Sequence, residues 1–271
     1  MGKIVGGYAT SHIAFSVGSK KKVRKILDGM AEIGRRMTAD RPDLVVMIVG
    51  DHMFNFNLER EAPFILGTAD QYETWGDMGI PPYGIKGHAE FAGNFLDRSA
   101  RNGFDLATAD TFRPDHGVAL PMLFVKPRGQ VPLVLLYVSI GMAPTPTPKR
   151  CYQLAQILKE TIEQDRPADE RVVVVGSGGL SHWPGMAGMG RVNAKFDQQC
   201  IDMLIAGQGH EMADWSAEMI FENSGNGGLE VINWLMMAGT LPGHTGEQIY
   251  HVPMHAWATG MAGIAIQGAQ G

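Results

Sequence analysis

Residues 171–182 read RVVVVGSGGLSH. Four consecutive valines leave no polar face, so this stretch suits a strand covered on both sides, as in parallel sheets flanked by helices. Two further runs share the build: KIVGGYATSH at 3–12 and LVVMIVGDH at 44–52. Each is apolar, rich in β-branched residues and followed within a few positions by a histidine. Strands of this kind confine the chain to an α/β architecture, in which ligands bind beyond the carboxyl ends of the strands. If the three are parallel neighbours, His12, His52 and His182 face one crevice.

The rest of the pattern agrees. Strand-like runs fall at 4–8, 44–49, 63–66, 133–140, 172–175 and 263–266. Helical periodicity covers 21–37, 90–101, 149–163, 194–205 and two stretches between 211 and 237. This alternation predicts a single-domain α/β sandwich over residues 1–271, built around a mixed, mostly parallel sheet. The Pro/Gly-rich stretch 75–87 reads as a surface loop, and GMAPTPTP at 141–148 as an irregular connection.

Charge narrows the partners. The net charge is −5, and the one basic cluster is KKKVRK at 20–25. Val23, Ile26, Leu27, Met30 and Ile33 recur at helical spacing through it, so its cations form the wet face of an amphipathic helix rather than a nucleic-acid footprint. Cys151 and Cys200 stand far apart and outside any CxxC spacing, which predicts packed thiols in a reducing setting. The start lacks the look of a signal peptide, and no apolar run approaches about 18 residues, so a cytoplasmic chain without a membrane span is expected.

Several familiar motifs are absent. GSGGLS at 176–181 lacks the third glycine of a dinucleotide fingerprint, and neither a Walker loop nor a Gly-x-Ser-x-Gly elbow occurs. What remains is histidine and acid. Asp115-His116-Gly117 lies between a polar and an apolar segment, and Glu230 opens the apolar run VINWLMM. That acid either complements a helix dipole or points into a cavity and is neutralised by a cation. Two histidines plus a carboxylate form the facial triad of non-haem Fe(II) oxygenases. His251 and His255 flank Pro253 near the last strand, where they can line a pocket.

The set TSHI (10–13), GDH (50–52), DHG (115–117), GSGGLSH (176–182) and GGLEVINWL (227–235) resembles the class III extradiol ring-cleaving dioxygenases. The likeness is to the catalytic β subunit of protocatechuate 4,5-dioxygenase, with smaller echoes in IKGHAEFA (85–92), RVNAKFD (191–197) and YHVP (250–253). The resemblance implies that His12, His52 and Glu230 bind Fe(II), that His182 is the catalytic base, and that His116 is an acid or hydrogen-bond donor. It further implies an aromatic diol and O2 as substrates, and an α/β sandwich fold. Met254-His255-Ala256-Trp257 replaces a small polar stretch of the protocatechuate enzymes. His255 and Trp257 are therefore expected to contact a different substrate: gallate-like, an aryl catechol, an aminophenol or a hydroxypyridine. The resemblance accommodates a separate small α subunit as well as a homo-oligomer. Two competing readings of the same residues are a metal-binding interaction protein without oxygenase activity and a zinc hydrolase.

Overall fold

Along LVVMIV the side chains alternate between two cores: Leu44, Val46 and Ile48 enter one, Val45, Met47 and Val49 the other. That two-sided burial is what the unbroken apolar run requires. The computed structural model describes residues 1–56, 62–124, 131–141 and 145–269. The first half of the chain forms β1 (Lys3–Thr10), α1 (Lys20–Ala39), β2 (Leu44–Val49), β3 (Phe64–Gly67), β4 (Gln71–Glu73), β5 (Gly84–Lys86), α2 (Ala89–Arg101), β6 (Ala107–Ala109) and α3 (His116–Phe124). The second half forms β7 (Leu133–Val138), α4 (Pro148–Asp165), β8 (Arg171–Ser177), α5 (Ala194–Ile205), α6 (Gly209–Met212), α7 (Ala217–Gly228), α8 (Val231–Gly239), β9 (Gly246–Met254) and β10 (Thr259–Gln267). A single 3-10 turn, His255–Trp257, joins the last two strands.

Eight strands make one sheet in the order β6-β3-β7-β2-β8-β1-β10-β9, and β4 pairs with β5 in a separate ribbon. β7, β2, β8 and β1 run parallel, while β10 and β9 return antiparallel at one side. α1 and α3 cover one face of the sheet, and α2, α4, α5 and α8 the other. The expected α/β sandwich with a mixed, mostly parallel sheet is therefore observed. Among the described residues, no helix is long and apolar enough to cross a membrane.

The basic run behaves as expected, with one addition. Lys20, Lys21, Lys22, Arg24 and Lys25 are exposed on α1. Lys22 Nζ also donates to the Pro253 carbonyl at 2.8 Å and Lys25 Nζ to that of His251 at 3.2 Å. Both carbonyls belong to the edge strand β9, so two lysines cover an edge that would otherwise invite another strand. Cys151 and Cys200 are buried and unpaired.

Two details differ from the sequence reading. The 75–87 stretch is not a plain surface loop, because it ends in β5 and turns one acid inward, as shown below. Besides the two expected helices, α7 and α8, a short α6 forms at Gly209–Met212, and α7 is kinked at Gly225, where φ is 83°. Residues 142–144 of the irregular connection lie outside the described residues.

Candidate active site

β2, β8 and β1 are adjacent and parallel, so their carboxyl ends open on one side of the sheet. His12 follows β1, His52 follows β2 and His182 follows β8. α3 begins at His116 and adds a fourth imidazole. The rings of His12 and His52 meet edge to face at 4.7 Å between centroids, and His116 lies 4.3 Å from His52 and 5.3 Å from His12. Glu230, at the N-cap of α8, enters the same space with 5% of its surface exposed. Its Oε1 stands 3.1 Å from His52 Nε2 and 3.5 Å from His12 Nε2, while Oε2 stands 3.9 Å from His182 Nε2. Of the two explanations for an acid before an apolar helix, the cavity one describes its surroundings.

All four imidazoles are anchored through Nδ1. His52 Nδ1 meets Asp115 Oδ2 at 3.0 Å, His116 Nδ1 meets Asp77 Oδ2 at 2.5 Å, and His182 Nδ1 donates to the Leu180 carbonyl at 2.7 Å. His12 Nδ1 meets Ser177 Oγ at 3.1 Å, and that hydroxyl already gives its proton to the Gly117 carbonyl at 2.5 Å. Each of these partners therefore accepts, so each ring carries a proton on Nδ1. In the neutral form that leaves a lone pair on Nε2. At His12, His52 and His182 this lone pair sits beside Glu230. Glu230 Oε1 with these two nitrogens at 3.1 and 3.5 Å suits a cation between them, a proton on His52 or a metal ion in its place.

A metal ion fits that need. Nitrogen and oxygen donors bound to one ion at about 2.1 Å stand roughly 3.0–3.4 Å apart at octahedral or tetrahedral angles. The His52–Glu230 spacing of 3.1 Å falls in that range, and the His12–Glu230 spacing of 3.5 Å lies just beyond it. His12, His52 and His116 form a second conceivable set, with one nitrogen from each within 4.8 Å of the others. That spacing is looser and leaves the carboxylate without a function. The donors nearest the right distance are those of His12, His52 and Glu230.

The electrostatics suit a cation. Burial pushes His12 down to about 3 and so holds it neutral. Burial also opposes charge on His52, but Asp115 and Glu230 outweigh it and raise this imidazole well above its usual value. For Glu230, burial favours the neutral acid, yet the neighbouring His12, His52 and His182 hold it ionised below the usual carboxylate range. Asp115 is fully buried, and His52 overcomes its desolvation to hold it at about 2. Asp115 Oδ2 also accepts the His52 backbone N–H at 2.9 Å, and Oδ1 that of Gly117 at 2.8 Å. A carboxylate behind a ligating histidine orients the ring and raises its basicity.

Two glycines shape the space. Gly178 has φ 153°, and a Cβ there would lie 2.5 Å from the Cβ of Glu230. The next residue, Gly179, donates its N–H to Glu230 Oε2 at 2.6 Å. On the other side, a Cβ on Gly227 would lie 2.1 Å from His182 Nε2. Replacing Gly227 with alanine is expected to push the His182 ring aside and to lower turnover by about 10²-fold, the usual cost of a displacement near 1 Å. Metal content, read by elemental analysis, should stay at the wild-type level, because the contact between Gly227 and Glu230, the Glu230 N–H on the Gly227 carbonyl at 3.1 Å, uses the main chain alone.

The sequence reading placed His12, His52, Glu230, His182 and His116 together, and the structure does so too. It does not bring His255 or Trp257 into the cluster: among the described residues neither makes a hydrogen bond or ring contact with the four imidazoles. His255 is exposed on the β9–β10 turn, and Trp257 donates Nε1 to the Val17 carbonyl at 2.8 Å and packs against Phe15. His251 faces Gln198 and Asp197. Asp115, Asp77 and Ser177 went unnoticed as orienting residues. Asp115 stands next to His116 in the DHG motif and could have been suspected, whereas nothing in WGDMG singles out Asp77.

The family's sequence profile, described as the catalytic LigB subunit of aromatic ring-opening dioxygenase, matches residues 6–262. The chain belongs to this family. It is 31% identical over 193 residues to gallate dioxygenase of Pseudomonas putida, a match covering 69% of this chain and 55% of that enzyme. It is 22% identical over 297 residues to a 2,3-dihydroxyphenylpropionate/2,3-dihydroxicinnamic acid 1,2-dioxygenase of Photorhabdus laumondii, covering 92% of this chain and 91% of that one. The chain thus spans about half of the gallate enzyme and nearly all of the second relative. The fold is also that of an uncharacterized protein of Escherichia coli K12, with TM-score 0.59, 14% identity and coverage of 97% of this LigB-family chain and 99% of the other.

Proposed function

We propose that this LigB-family chain is a non-haem Fe(II)-dependent extradiol dioxygenase that inserts both atoms of O2 into a catechol-type ring and opens it. The observation that carries this reading is the approach of Glu230 Oε1 to His52 Nε2 at 3.1 Å and to His12 Nε2 at 3.5 Å, with His182 beside them. His12, His52 and Glu230 hold the ion. A ferrous ion on this ligand set supplies open positions at which a diol and O2 meet. Relatives named for gallate and for 2,3-dihydroxyphenylpropionate support a vicinal diol as substrate.

The protein's own share is proton handling and orientation. His182, with Nδ1 committed to Leu180, takes a hydroxyl proton from the diol on Nε2. His116, backed by Asp77 and carrying a proton on Nε2 as well, donates a hydrogen bond or that proton to a reacting oxygen. Asp115 and Ser177 keep the ligating rings fixed while this happens. His255 and Trp257 serve the outer part of the substrate from the β9–β10 turn.

Oxygen consumption by protein loaded anaerobically with Fe(II), measured against a panel of vicinal diols and o-aminophenols, tests the reading. Uptake coupled to a yellow ring-opened product is the expected result. No uptake with any panel member at full iron loading would overturn it, and ester or amide hydrolysis by the Zn(II)-loaded protein would instead favour the hydrolase.

A further inference from the structure

Beside the cluster lies a buried network to which the chemistry above assigns nothing. Asp197, in the first turn of α5, is 1% exposed. Both of its carboxylate oxygens end on one residue. Oδ1 accepts the Ser181 backbone N–H at 2.9 Å, and Oδ2 accepts the Ser181 hydroxyl at 2.9 Å. Ser181 Oγ in turn accepts the Asn193 N–H at 2.7 Å, and the Ser181 carbonyl accepts the Gly260 N–H at 2.9 Å. Every polar group of Ser181 is therefore engaged. The residue that follows is His182.

Burying a carboxylate costs free energy unless strong hydrogen bonds compensate. Among the described residues no Lys or Arg pairs with Asp197; the nearest ionisable group is His251, with Nε2 at 3.9 Å. Its charge is thus directed at one serine, through two charge-assisted bonds of the stiffer sort. The main chain of His182 is held as well, its N–H donating to the Ser224 carbonyl at 2.8 Å and its carbonyl accepting the Gly227 N–H at 3.2 Å. Asp197 clamps the approach to His182, and α7 clamps the exit.

We propose that Asp197 is a positioning residue: acting through Ser181, it fixes the peptide that carries His182 so that Nε2 stays aimed beside Glu230. This rests on His182 being the base of the proposed reaction. Asp197→Asn keeps the size of the side chain but puts an amide N–H against a hydroxyl that already accepts from Asn193. Ser181→Ala removes the hydroxyl bond and leaves the backbone one.

Steady-state kinetics with a diol substrate, metal content and thermal midpoint are measured on the Fe(II)-loaded full chain and its variants. Asp197→Asn is expected to lower kcat about 10–100-fold, the usual range for a residue one bond removed from a working group, with KM within about threefold and metal retained. Ser181→Ala should fall between it and wild type. In a His182→Ala background, Asp197→Asn should cause no further loss of turnover. A wild-type kcat with only a lowered midpoint, a loss of metal, or an additional loss in that background would overturn the proposal. If His182→Ala loses turnover while Asp197→Asn keeps it, only the positioning role falls; if His182→Ala keeps turnover, the base assignment falls with it.

Discussion

Replacing His182 with alanine is expected to leave the metal in place and to lower turnover by about 10²–10⁴-fold, the usual contribution of a positioned general base. The separation of the two effects follows from the hydrogen bonds. The contacts that build the loop at His182 use its main chain, to Ser224 and from Gly227, and survive truncation of the side chain. Glu230 Oε2 keeps the Gly179 N–H at 2.6 Å, and Oε1 keeps its neighbours His12 and His52. What disappears is an imidazole whose Nδ1 proton is committed to Leu180 and whose Nε2 is free to accept another. The substrate supplies a second check. A catechol already ionised at the assay pH, such as one carrying a nitro group, has less need of a base and should lose fewer powers of ten. Oxygen uptake with both substrates, beside elemental analysis of iron, measures this. Loss of iron from the alanine variant would make His182 a ligand; equal losses on both substrates would refute its role as base.

The place of His182 is legible in the sequence because of how the strands end. A buried parallel strand must be apolar throughout, so a polar residue just past it marks the sheet's edge. Where three such strands lie side by side, the polar residues meet. The run at 44–49 matches β2 at both ends, and 194–205 matches α5, because each carries an unambiguous pattern and α5 opens on the capping Asn193.

Other elements could not be read, for reasons that are also physical. α3, HGVALPMLF, is apolar on nearly every side and contains Pro121, so it shows no helical period. β9 carries Glu247, Gln248 and His251 with Pro253 near its end, since an edge strand that faces α1 on one side and polar residues of α5 on the other need not be apolar. The partners of the histidines were harder still. Asp77 reaches His116 from 39 residues away, and Asp197 reaches Ser181 from 16, along paths fixed by tertiary packing alone. A ligand can be inferred from its place on a strand end; the group that orients it cannot.

Replacing Glu230 with glutamine is expected to abolish stoichiometric metal binding while keeping the fold. Glutamine has nearly the same shape, and its carbonyl can still accept the Gly179 N–H that Oε2 now holds. It lacks the negative charge, and Glu230 is the anionic member of the proposed ligand set. With His12 held neutral by burial, the remaining donors are uncharged rings, and any ion must displace the proton that His52 otherwise carries between Asp115 and Glu230. Thermal unfolding makes the loss visible. A ligand at about 100 times its dissociation constant stabilises the folded state by about 2.7 kcal/mol, which for a chain of this size raises the midpoint by on the order of 5–10 °C. The wild-type protein should show that rise with Fe(II) and lose it to a chelator, whereas Glu230→Gln should melt at one temperature with or without metal. Alanine is the poorer probe, because it leaves the Gly179 N–H without an acceptor and His52 without one of its two carboxylates. The outcome also decides between the two candidate ligand sets. A glutamine variant that still binds one ion per chain at wild-type affinity would mean that His12, His52 and His116 hold it, and that the carboxylate serves another purpose.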